Sequence, residues 1–321
     1  MKRFSIIMPC YNISKSNNYI SYLAKQSFKN FELICINDCS NDDTLSILKS
    51  YKKDLECLFD FKIIDLHSNV GPGKARNLGI AECEGEFIIF LDSDDYLSEL
   101  TLKTINDVLL SDVSIDCVVF DYSICKNDKK YEQSTFKKSG FISLYEAFVF
   151  TSNGISGKCV RKSLVAQNDI KFLNLKRCED YPFFRHIYLV SNKIYYLKEP
   201  FYNYVMNDNS LMHNSELINV DNAIAAFDYL TTKTDNNKLL GIAFAKNCLY
   251  SNVLSMMAKK NSHQDFKNRI IFLKTSYKNY CRVSNLKPYS LKVKIVSIFA
   301  LLDWYWLLKW LYKRYEKRSI K

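Results

Sequence analysis

Short, mostly apolar runs alternate with polar, helix-forming stretches along the first 121 residues. Five runs have the length of a strand, at residues 4–8, 31–36, 61–66, 87–91 and 117–120. Such runs predict strands that are buried on both faces, as in parallel sheets. Helices are predicted between them at residues 17–26, 42–53, 73–81 and 101–110, with Asn41 as the N-cap of the second. The alternation predicts an open, mostly parallel α/β sheet with right-handed crossovers.

The pattern changes twice after residue 121. Residues 122–215 mix polar turns with short helices and strands, and strands are expected at 195–197 and 201–205. From Val220 onward, Leu, Ile, Phe and Tyr recur at helical spacing without strand alternation. We therefore predict two regions, an α/β domain at residues 1–215 and a helical region at residues 216–321.

The composition indicates a folded protein with reduced cysteines. The chain is 48% hydrophobic and 14% aromatic, which is enough to build a core and excludes a disordered protein. Its 11 cysteines are odd in number, and several, such as Cys35 and Cys117, lie inside apolar runs. They predict buried thiols of a cytoplasmic protein rather than disulfides or a metal site. The first apolar run is also too short for the hydrophobic region of a secretory signal.

The positive charge is concentrated near the carboxyl terminus. Of the net charge of +11, residues 241–321 carry +14, from 17 Lys and Arg against 3 Asp and Glu. Such a basic region predicts a polyanionic surface as its partner, with solvated lysines on helices as the alternative. Nucleic acid is not expected as a partner, because the chain has no RNA-recognition motif, zinc finger or basic zipper.

Polar clusters follow three of the predicted strands, at residues 9–12, 37–40 and 92–95. In open α/β sheets ligands bind beyond the carboxyl ends of the strands, so these clusters are candidates for one binding site. The first cluster contains no glycine, which argues against a GxGxxG dinucleotide site, and the chain has no GxxxxGK[ST] phosphate loop. A nicotinamide dehydrogenase and a P-loop kinase are therefore disfavoured.

The sharpest cluster is the string DSDD at residues 92–95. Three carboxylates within four residues repel one another unless a cation neutralises them. Mg²⁺ or Mn²⁺ fits this requirement, because either ion prefers oxygen ligands and keeps sites open for a diphosphate. The alternative is a helix amino-terminal cap made by Asp94 or Asp95.

Four strings stand out by their order and spacing: SIIMPCYN at 5–12, INDCSNDDT at 36–44, NVGPGKARNLGI at 69–80 and FIIFLDSDDYL at 87–97. Together they resemble family-two glycosyltransferases with the A-type fold. The resemblance covers residues 1–215 and is closest in their first half. It implies a Rossmann-like sheet that binds a nucleotide sugar, so residues 1–215 are expected to form the catalytic domain.

The resemblance also implies a donor site for a UDP-sugar. A metal ion in it would bridge the two phosphates and stabilise the leaving nucleoside diphosphate. For the arginine of this site, a surface helix charge is the alternative reading. The implied donor residues are Pro9 and Tyr11 lining the base pocket, Asp38 at the uracil edge, Arg76 beside the base or phosphates, Asp92 facing the ribose, Ser93 in the same loop, and Asp94 as the main metal ligand.

A second acidic string, KRCEDY at residues 176–181, resembles the family's Glu-Asp motif and implies Asp180 as the catalytic base. An acceptor hydroxyl is a poor nucleophile until a carboxylate takes its proton, and attack opposite the diphosphate inverts the anomeric centre. A helix-capping pair, Glu179 and Asp180, is the alternative. Residues 204–213 resemble the family's loop over the donor phosphates, where His213 would be either a further metal ligand or a structural histidine.

Two places depart from the family pattern. The family often has a Trp before a Lys where this chain has Ser156 and Gly157, a difference that leaves the acceptor undetermined. After the second strand, Asn37 replaces the more usual first Asp and Cys39 replaces a Gly. Asp38 remains between them, so nucleotide binding is still expected.

The stretch IVSIFALLDWYWLLKWLY at residues 295–312 is apolar and aromatic. It is about long enough to cross a bilayer, but Asp303 near its centre would cost about 2.5–3.5 kcal/mol there. On a helix, one side would hold Asp303, Lys309, Lys313 and Lys317, and the other Trp304, Leu307, Leu308 and Leu311. We therefore predict a helix that lies on an anionic membrane surface. The alternative is packing on the protein body or on a second subunit, which would give a homodimer.

Together these features predict an inverting, metal-dependent glycosyltransferase on the cytoplasmic face of a bacterial membrane. It would move a hexose or N-acetylhexosamine from a UDP-sugar to a glycan or glycolipid acceptor, as in lipooligosaccharide, capsule or lipid-linked oligosaccharide synthesis. Two other hypotheses are a nucleotidyltransferase that makes an activated sugar and a noncatalytic membrane adaptor with the same fold. The nucleotidyltransferase would need a glycine-rich, basic loop after the first strand, which this chain lacks.

Overall fold

The computed structural model describes residues 2–15, 19–127, 129–206, 220–259 and 261–319. The chain forms two compact units, Met1–Asn207 and Asp208–Lys321. The boundary predicted at residue 215 lies outside the described residues and stays a prediction.

The first unit is built on a mixed sheet. Its strands are β1 (Phe4–Cys10), β2 (Phe31–Asn37), β3 (Asp60–Asp65), β4 (Phe87–Phe90), β5 (Tyr96–Leu97), β6 (Ile115–Lys126), β7 (Lys129–Gln133), β8 (Gly140–Ile142), β9 (Lys158–Arg161) and β10 (Lys193–Val205). The order is β3-β2-β1-β4-β9-β6-β10-β5, with β7 paired to β6 and β8 paired to β10. The predicted α/β sheet is confirmed.

The parallel part of the sheet carries the loops of the candidate site. β3, β2, β1 and β4 run parallel to one another. β2 and β4 are buried at every position, which confirms the prediction from their apolar runs. β9 lies between β4 and β6 and is antiparallel to both. Beyond it, β6 and β10 pair in parallel.

β10 is one long strand where the sequence predicted two. Its pairing with β6 shifts register between Leu197 and Pro200, and again between Pro200 and Tyr202. Proline has no amide hydrogen to donate to the ladder, so the strand becomes irregular at this residue. The predicted strands at 195–197 and 201–205 are therefore two arms of the same strand.

The helices of the first unit are α1 (Thr44–Leu55), α2 (Pro72–Glu82), α3 (Thr101–Ser111), α4 (Leu144–Phe150), α5 (Lys162–Gln167) and α6 (Asp180–Val190). In its described part, the helix predicted at 17–26 contains the 3-10 helix Ile20–Lys25. The prediction of Asn41 as a cap was wrong. The Asp42 carboxylate accepts from the Thr44 amide at 3.0 Å, whereas the Asn41 amide donates to the Asn12 side chain.

Helices cover both faces of the sheet. Leu48 of α1 and Ile105 of α3 belong to the apolar cluster on one face, and Ala75 of α2 and Phe184 of α6 to the cluster on the other. α2 lies especially close to β1, because a Cβ on Gly79 would come within 2.4 Å of a methyl of Ile7. This close packing holds α2 directly against β1.

In the described residues, the second unit is helical, as predicted from Val220 onward. Its helices are α7 (Val220–Thr231), α8 (Asn237–Phe244), α9 (Ser251–Ala258), α10 (His263–Ser276), α11 (Leu291–Leu301) and α12 (Tyr305–Ser319). The π-helical segment Ala245–Tyr250 joins α8 to α9. Phe227 and Phe244 pack edge-to-face at 5.1 Å in the aromatic core of this unit. No helix among the described residues is long and apolar enough to cross a membrane.

Candidate functional site

The loops after β1 and β2 meet at one edge of the sheet. The Asp38 amide donates to the Cys10 carbonyl at 2.9 Å, and the Asn12 amide donates to the Ser40 hydroxyl at 3.0 Å. Tyr11 lies between these contacts and is 52% exposed. The predicted meeting of these two polar clusters is therefore present in the structure.

Asp38 holds the loop that leads into α2. Its two carboxylate oxygens accept hydrogen bonds from the amides of Val70, at 2.7 Å, and Gly71, at 2.8 Å. Gly71 has a φ of +84°, a conformation that favours glycine. A carboxylate offers about four lone-pair sites, so Asp38 keeps acceptor capacity for a base edge. Its role as the uracil reader stays a prediction.

Cys39 occupies a backbone position that suits glycine. Its φ is +54°, in the left-handed region. A side chain there places Cβ close to the following carbonyl and costs about 1–2 kcal/mol. This strain gives a physical reason for the glycine that the family usually has at this position.

Replacing Cys39 with Gly is expected to raise the free energy of unfolding by about 0.5–1 kcal/mol, because the relieved strain exceeds the added chain entropy. Urea denaturation of the purified chain would measure it. Cys57→Gly is the matched control, since Cys57 is an exposed cysteine in the turn after α1 without a positive φ. That control should lose stability, and an equal loss in Cys39→Gly would contradict the prediction.

Arg76 of α2 gathers three carboxylates that are far apart in the sequence. Its guanidinium contacts Asp92 and Asp180 at 2.9 Å each and Glu179 at 3.2 Å. The Arg76 side chain is only 5% exposed. Burial works against its charge, but the three carboxylates raise the pKa of Arg76 above its usual value. A surface helix charge is therefore the wrong reading of Arg76, because the side chain is buried among acids.

Glu179 and Asp180 are directed toward Arg76 rather than acting as caps. α6 begins at Asp180, and Glu179 in the N-cap position makes no side-chain capping bond. Burial raises the pKa of Asp180 to about 7, although the charge of Arg76 opposes the shift. The Asp180 side chain keeps 23% exposure. A carboxyl with this pKa and an accessible side can exchange a proton near neutral pH.

The three acids of the DSDD loop have three different environments. Asp92 pairs with Arg76, as described above. Asp95 is buried and accepts from the Tyr202 hydroxyl at 2.6 Å and the Val205 amide at 2.8 Å. Burial and the charge of Asp92 raise the pKa of Asp94 to about 6. The capping alternative is wrong, since α3 begins only at Thr101.

The residues of this loop fit a divalent cation. In the part of the chain that the structure describes, Asp94 makes no ion pair with a cationic side chain, and its pKa is raised by burial and then by the charge of Asp92. Among the described residues, no group of three or more His, Cys, Asp and Glu side chains could hold a metal. Mg²⁺ characteristically takes one or two protein carboxylates and completes its shell with phosphates and water. Asp92 and Asp94 are two carboxylates close enough for the charge of Asp92 to raise the pKa of Asp94, as such a site requires.

Pro9, Ser93 and His213 are the other predicted site residues. Pro9 lies in β1 beside Ile36 of β2, one residue before the loop. Ser93 is partly buried between Asp92 and Asp94. His213 lies outside the described residues, so its role as a metal ligand or structural histidine stays a prediction.

Two buried basic side chains near Asp180, Lys158 and Arg185, were not among the predicted site residues. The Lys158 ammonium donates to the carbonyls of Gly154, at 2.5 Å, and Ser156, at 3.1 Å. Arg185 of α6 donates to the Thr151 carbonyl at 3.0 Å. Burial and the charge of Arg185 lower the pKa of Lys158 to about 7. The signal for Arg185 is an arginine among apolar residues of α6 such as Phe183, Phe184 and Ile187.

These cations fix the loop at residues 151–157 beside the candidate base. A Cβ on Gly154 would lie 3.9 Å from the Asp180 carboxylate, in ordinary contact. Gly157 has a φ of +73°, and a Cβ there would come within 2.2 Å of the Phe120 carbonyl. This backbone therefore excludes a Trp at Gly157, which gives a physical reason for the departure from the family pattern.

Comparison with known proteins decides the family. The model of "Glycosyl transferase family 2" matches residues 5–164. A glycosyltransferase of Haemophilus influenzae with no established function is 32% identical over 190 residues, which cover 57% of this chain and 71% of the relative. The chain belongs to glycosyltransferase family 2. The predicted enzyme class is confirmed at the level of this family.

Curated relatives with named substrates resemble the chain over about two thirds of its length. The poly(ribitol-phosphate) β-N-acetylglucosaminyltransferase TarS of Staphylococcus aureus is 35% identical over 215 residues, which cover 64% of this chain and 35% of TarS. The chain thus spans about a third of the length of that relative. The crystal structure of S. aureus TarS 1–349 with UDP-GlcNAc superposes with a TM-score of 0.76 at 24% identity, covering 98% of this chain and 92% of that one. This likeness confirms the predicted A-type fold.

Proposed function

We propose that the chain transfers a hexose or N-acetylhexosamine from a UDP-sugar to a bacterial surface glycan, with inversion and with a divalent metal. The observation that carries the proposal is the Arg76 cluster, in which Asp92 and Asp180 contact the same guanidinium at 2.9 Å. The Arg76 guanidinium thereby holds Asp92 of the DSDD loop and Asp180, a carboxyl suited to proton transfer. A relative that acts on poly(ribitol phosphate) and a neighbour that binds UDP-GlcNAc support this choice of substrates.

The chemistry divides among few residues. Asp92 and Asp94 would hold Mg²⁺ or Mn²⁺, and the bound ion would stabilise the charge of the leaving nucleoside diphosphate. Asp180 accepts the proton of the acceptor hydroxyl as that oxygen forms a bond to the sugar. Arg76 keeps Asp180 and Asp92 at a fixed separation, and Asp38 orders the loop before α2 for the nucleotide.

The acceptor is proposed only as a class. A growing lipooligosaccharide, capsule, teichoic-acid-type polymer or lipid-linked oligosaccharide offers the required hydroxyl, and poly(ribitol phosphate) is the acceptor that the name of TarS gives. Residues 241–321 carry a net charge of +14, which fits the anionic cytoplasmic surface of a membrane. We therefore place the protein on the cytoplasmic face of the cell membrane, as a peripheral protein.

Donor binding is expected to require both UDP and the metal. With Mn²⁺ present, UDP-sugars at about 100 times their Kd should raise the melting temperature by roughly 5 °C, because ligand binding to the folded state stabilises it. EDTA or Asp94→Asn should remove most of that shift. The best donor should then be incubated with candidate acceptors, and transfer should be followed by mass spectrometry.

Asp107→Asn is the matched control for the donor assay, since Asp107 is an exposed acid that pairs with Lys103 on the surface of α3. It should keep the full shift. Stabilisation by a nucleoside triphosphate together with a sugar phosphate, and by no UDP-sugar, would indicate a nucleotidyltransferase instead. The absence of a shift with every nucleotide would indicate the noncatalytic adaptor.

A further inference from the structure

α12 has two apolar faces, and the second unit uses only one of them. Tyr305 and Leu308 are both 2% exposed. The Tyr305 ring stacks on His263 at 4.9 Å and packs against Phe266 at 5.4 Å, and its hydroxyl donates to the Asn261 carbonyl at 2.6 Å. This face therefore belongs to the core of the second unit.

The other apolar face is uncovered. Trp306 is 67% exposed and Trp310 is 49% exposed, and they lie one turn apart on α12. Leu307 and Trp304, at the start of the helix, are also exposed. We call Trp304, Trp306, Leu307 and Trp310 the tryptophan face. These four side chains include all three tryptophans of the chain.

The sequence-based division of this helix was wrong in one respect. It grouped Leu308 with Trp304 and Leu307, and it assigned Trp306 and Trp310 to neither side. In the structure Leu308 is buried one turn after Tyr305, which packs against Phe266 of α10. Trp306 and Trp310 are thereby turned outward together, and Trp304, just before the helix, packs against Phe299 at 4.9 Å and stays half-exposed.

Cations border the tryptophan face. The Arg314 guanidinium lies 4.1 Å from the Trp310 ring centre, and the Lys309 ammonium lies 5.4 Å from that of Trp306. Lys313 is exposed beside them. The acid nearest the start of α12 is Asp303, and its carboxylate lies 3.3 Å from a ring nitrogen of His263. The exposed indoles therefore lie in a predominantly positive surface.

We propose that the tryptophan face inserts into the headgroup region of an anionic bilayer, with Lys309, Lys313 and Arg314 contacting lipid phosphates. Indole rings prefer the membrane–water boundary, and amphipathic helices with basic borders bind anionic lipid there. A second copy of the chain is a poorer partner for this face. Residues 241–321 carry a net charge of +14, so the same region of two copies would repel each other. The inference rests on the proposed membrane location and is independent of sugar transfer.

Tryptophan fluorescence tests this surface directly, since every tryptophan of the chain lies on it. With excitation at about 295 nm, vesicles of phosphatidylcholine with about 30% phosphatidylglycerol should shift the emission of the full chain to the blue. Pure phosphatidylcholine vesicles should give a much smaller shift at the same ionic strength. Bromine-labelled lipids should quench the shifted emission.

The charge contribution is tested with Lys313→Gln/Arg314→Gln, which leaves all tryptophans in place. Partitioning onto the anionic vesicles should fall roughly 10- to 30-fold in this variant. Lys129→Gln/Lys130→Gln is the matched control, because it removes two exposed lysines from β7 in the first unit. It should bind within about threefold of the unaltered chain.

The apolar contribution is tested with Trp306→Ala/Trp310→Ala, in which Trp304 remains as the probe. Co-sedimentation with the same vesicles should drop by at least about tenfold, and circular dichroism should be unchanged because both side chains are exposed. Vesicle binding that is equal in both double variants and the unaltered chain would overturn the proposal. A blue shift that appears without lipid and grows with protein concentration would also overturn it, in favour of a second copy. UDP-sugar stabilisation without vesicles reports separately on the proposed enzymatic function.

Discussion

Asp180→Asn is expected to lower kcat for sugar transfer by roughly 100- to 10,000-fold while UDP and UDP-sugar affinities stay within about twofold. Asn has the shape of Asp and can still accept the Arg76 hydrogen bond, which the carboxylate receives at 2.9 Å. It cannot accept the proton of the acceptor hydroxyl. Steady-state kinetics with the best donor and acceptor, together with calorimetric titration of UDP, would measure both parts.

Glu179→Gln is the matched control, because Glu179 is adjacent in sequence and contacts the same guanidinium at 3.2 Å. Gln keeps that contact, so kcat should stay within about tenfold of the unaltered enzyme. Full activity in Asp180→Asn would remove Asp180 from the role of base. A larger loss in Glu179→Gln than in Asp180→Asn would move that role to Glu179.

The same assignment predicts a pH dependence. Burial raises the pKa of Asp180 to about 7, and Glu179 contributes to the rise. Only the ionised carboxylate accepts a proton, so kcat/KM should rise with pH and level off above about pH 7. At lower pH, Asp180 is protonated and kcat/KM should decrease. Removing the neighbouring charge in Glu179→Gln should move this acidic limb to lower pH. An acidic limb at the same pH in both proteins would contradict the assignment.

Arg76→Met should lower the free energy of unfolding by about 3–5 kcal/mol, since removing one partner of a buried ion pair leaves uncompensated charge. Arg76 and Glu179 are both buried, and Asp180 is largely so. Met fills much of the same volume, so the loss measures charge rather than a cavity. Urea denaturation followed by circular dichroism would give the difference, and donor-induced stabilisation should be lost as well.

The loss of unfolding free energy in Arg76→Met should depend on pH. Without the guanidinium, burial would raise the folded-state pKa of Asp180 beyond its value of about 7. A carboxyl whose pKa is higher in the folded state than in the unfolded state lowers the free energy of unfolding at pH values above its unfolded-state pKa. This loss shrinks as the pH falls below the folded-state pKa, because the carboxyl then becomes protonated in the folded protein. The variant should therefore be least stable, relative to the unaltered chain, above about pH 7 and should recover as the pH falls.

Lys103→Met is the control for this stability measurement. Lys103 pairs with Asp107 at 2.8 Å on the exposed surface of α3. Surface ion pairs contribute about 0–1 kcal/mol, so the change should be small and nearly independent of pH over this range. Equal stability of Arg76→Met and the unaltered chain at pH 8 would contradict the proposed charge balance.

The pattern of apolar runs was enough to predict the strands in the parallel half of the sheet. The apolar runs that became β1, β2 and β4 can be satisfied only by burial on both faces, so their positions follow from residue type alone. The loops that carry Asp38 and Asp92 were located for the same reason, because each follows directly where such a run ends. The sheet beyond β4 was not predictable in this way, since the insertion of β9 against β4 depends on pairing between distant segments.

The sequence by itself determined the class of chemistry, because the carboxylates of residues 92–95 and the acids of KRCEDY are visible as residue types at fixed short spacings. The sequence did not determine the role of each of these acids. Asp95 is withdrawn from the site by Tyr202, which lies 107 positions away, and Asp180 is held by Arg76, which lies 104 positions away. The protonation and accessibility of a carboxyl depend on burial and on charges within a few ångströms. Only the tertiary structure sets those distances, and for the same reason it alone decided which side of α12 faces outward.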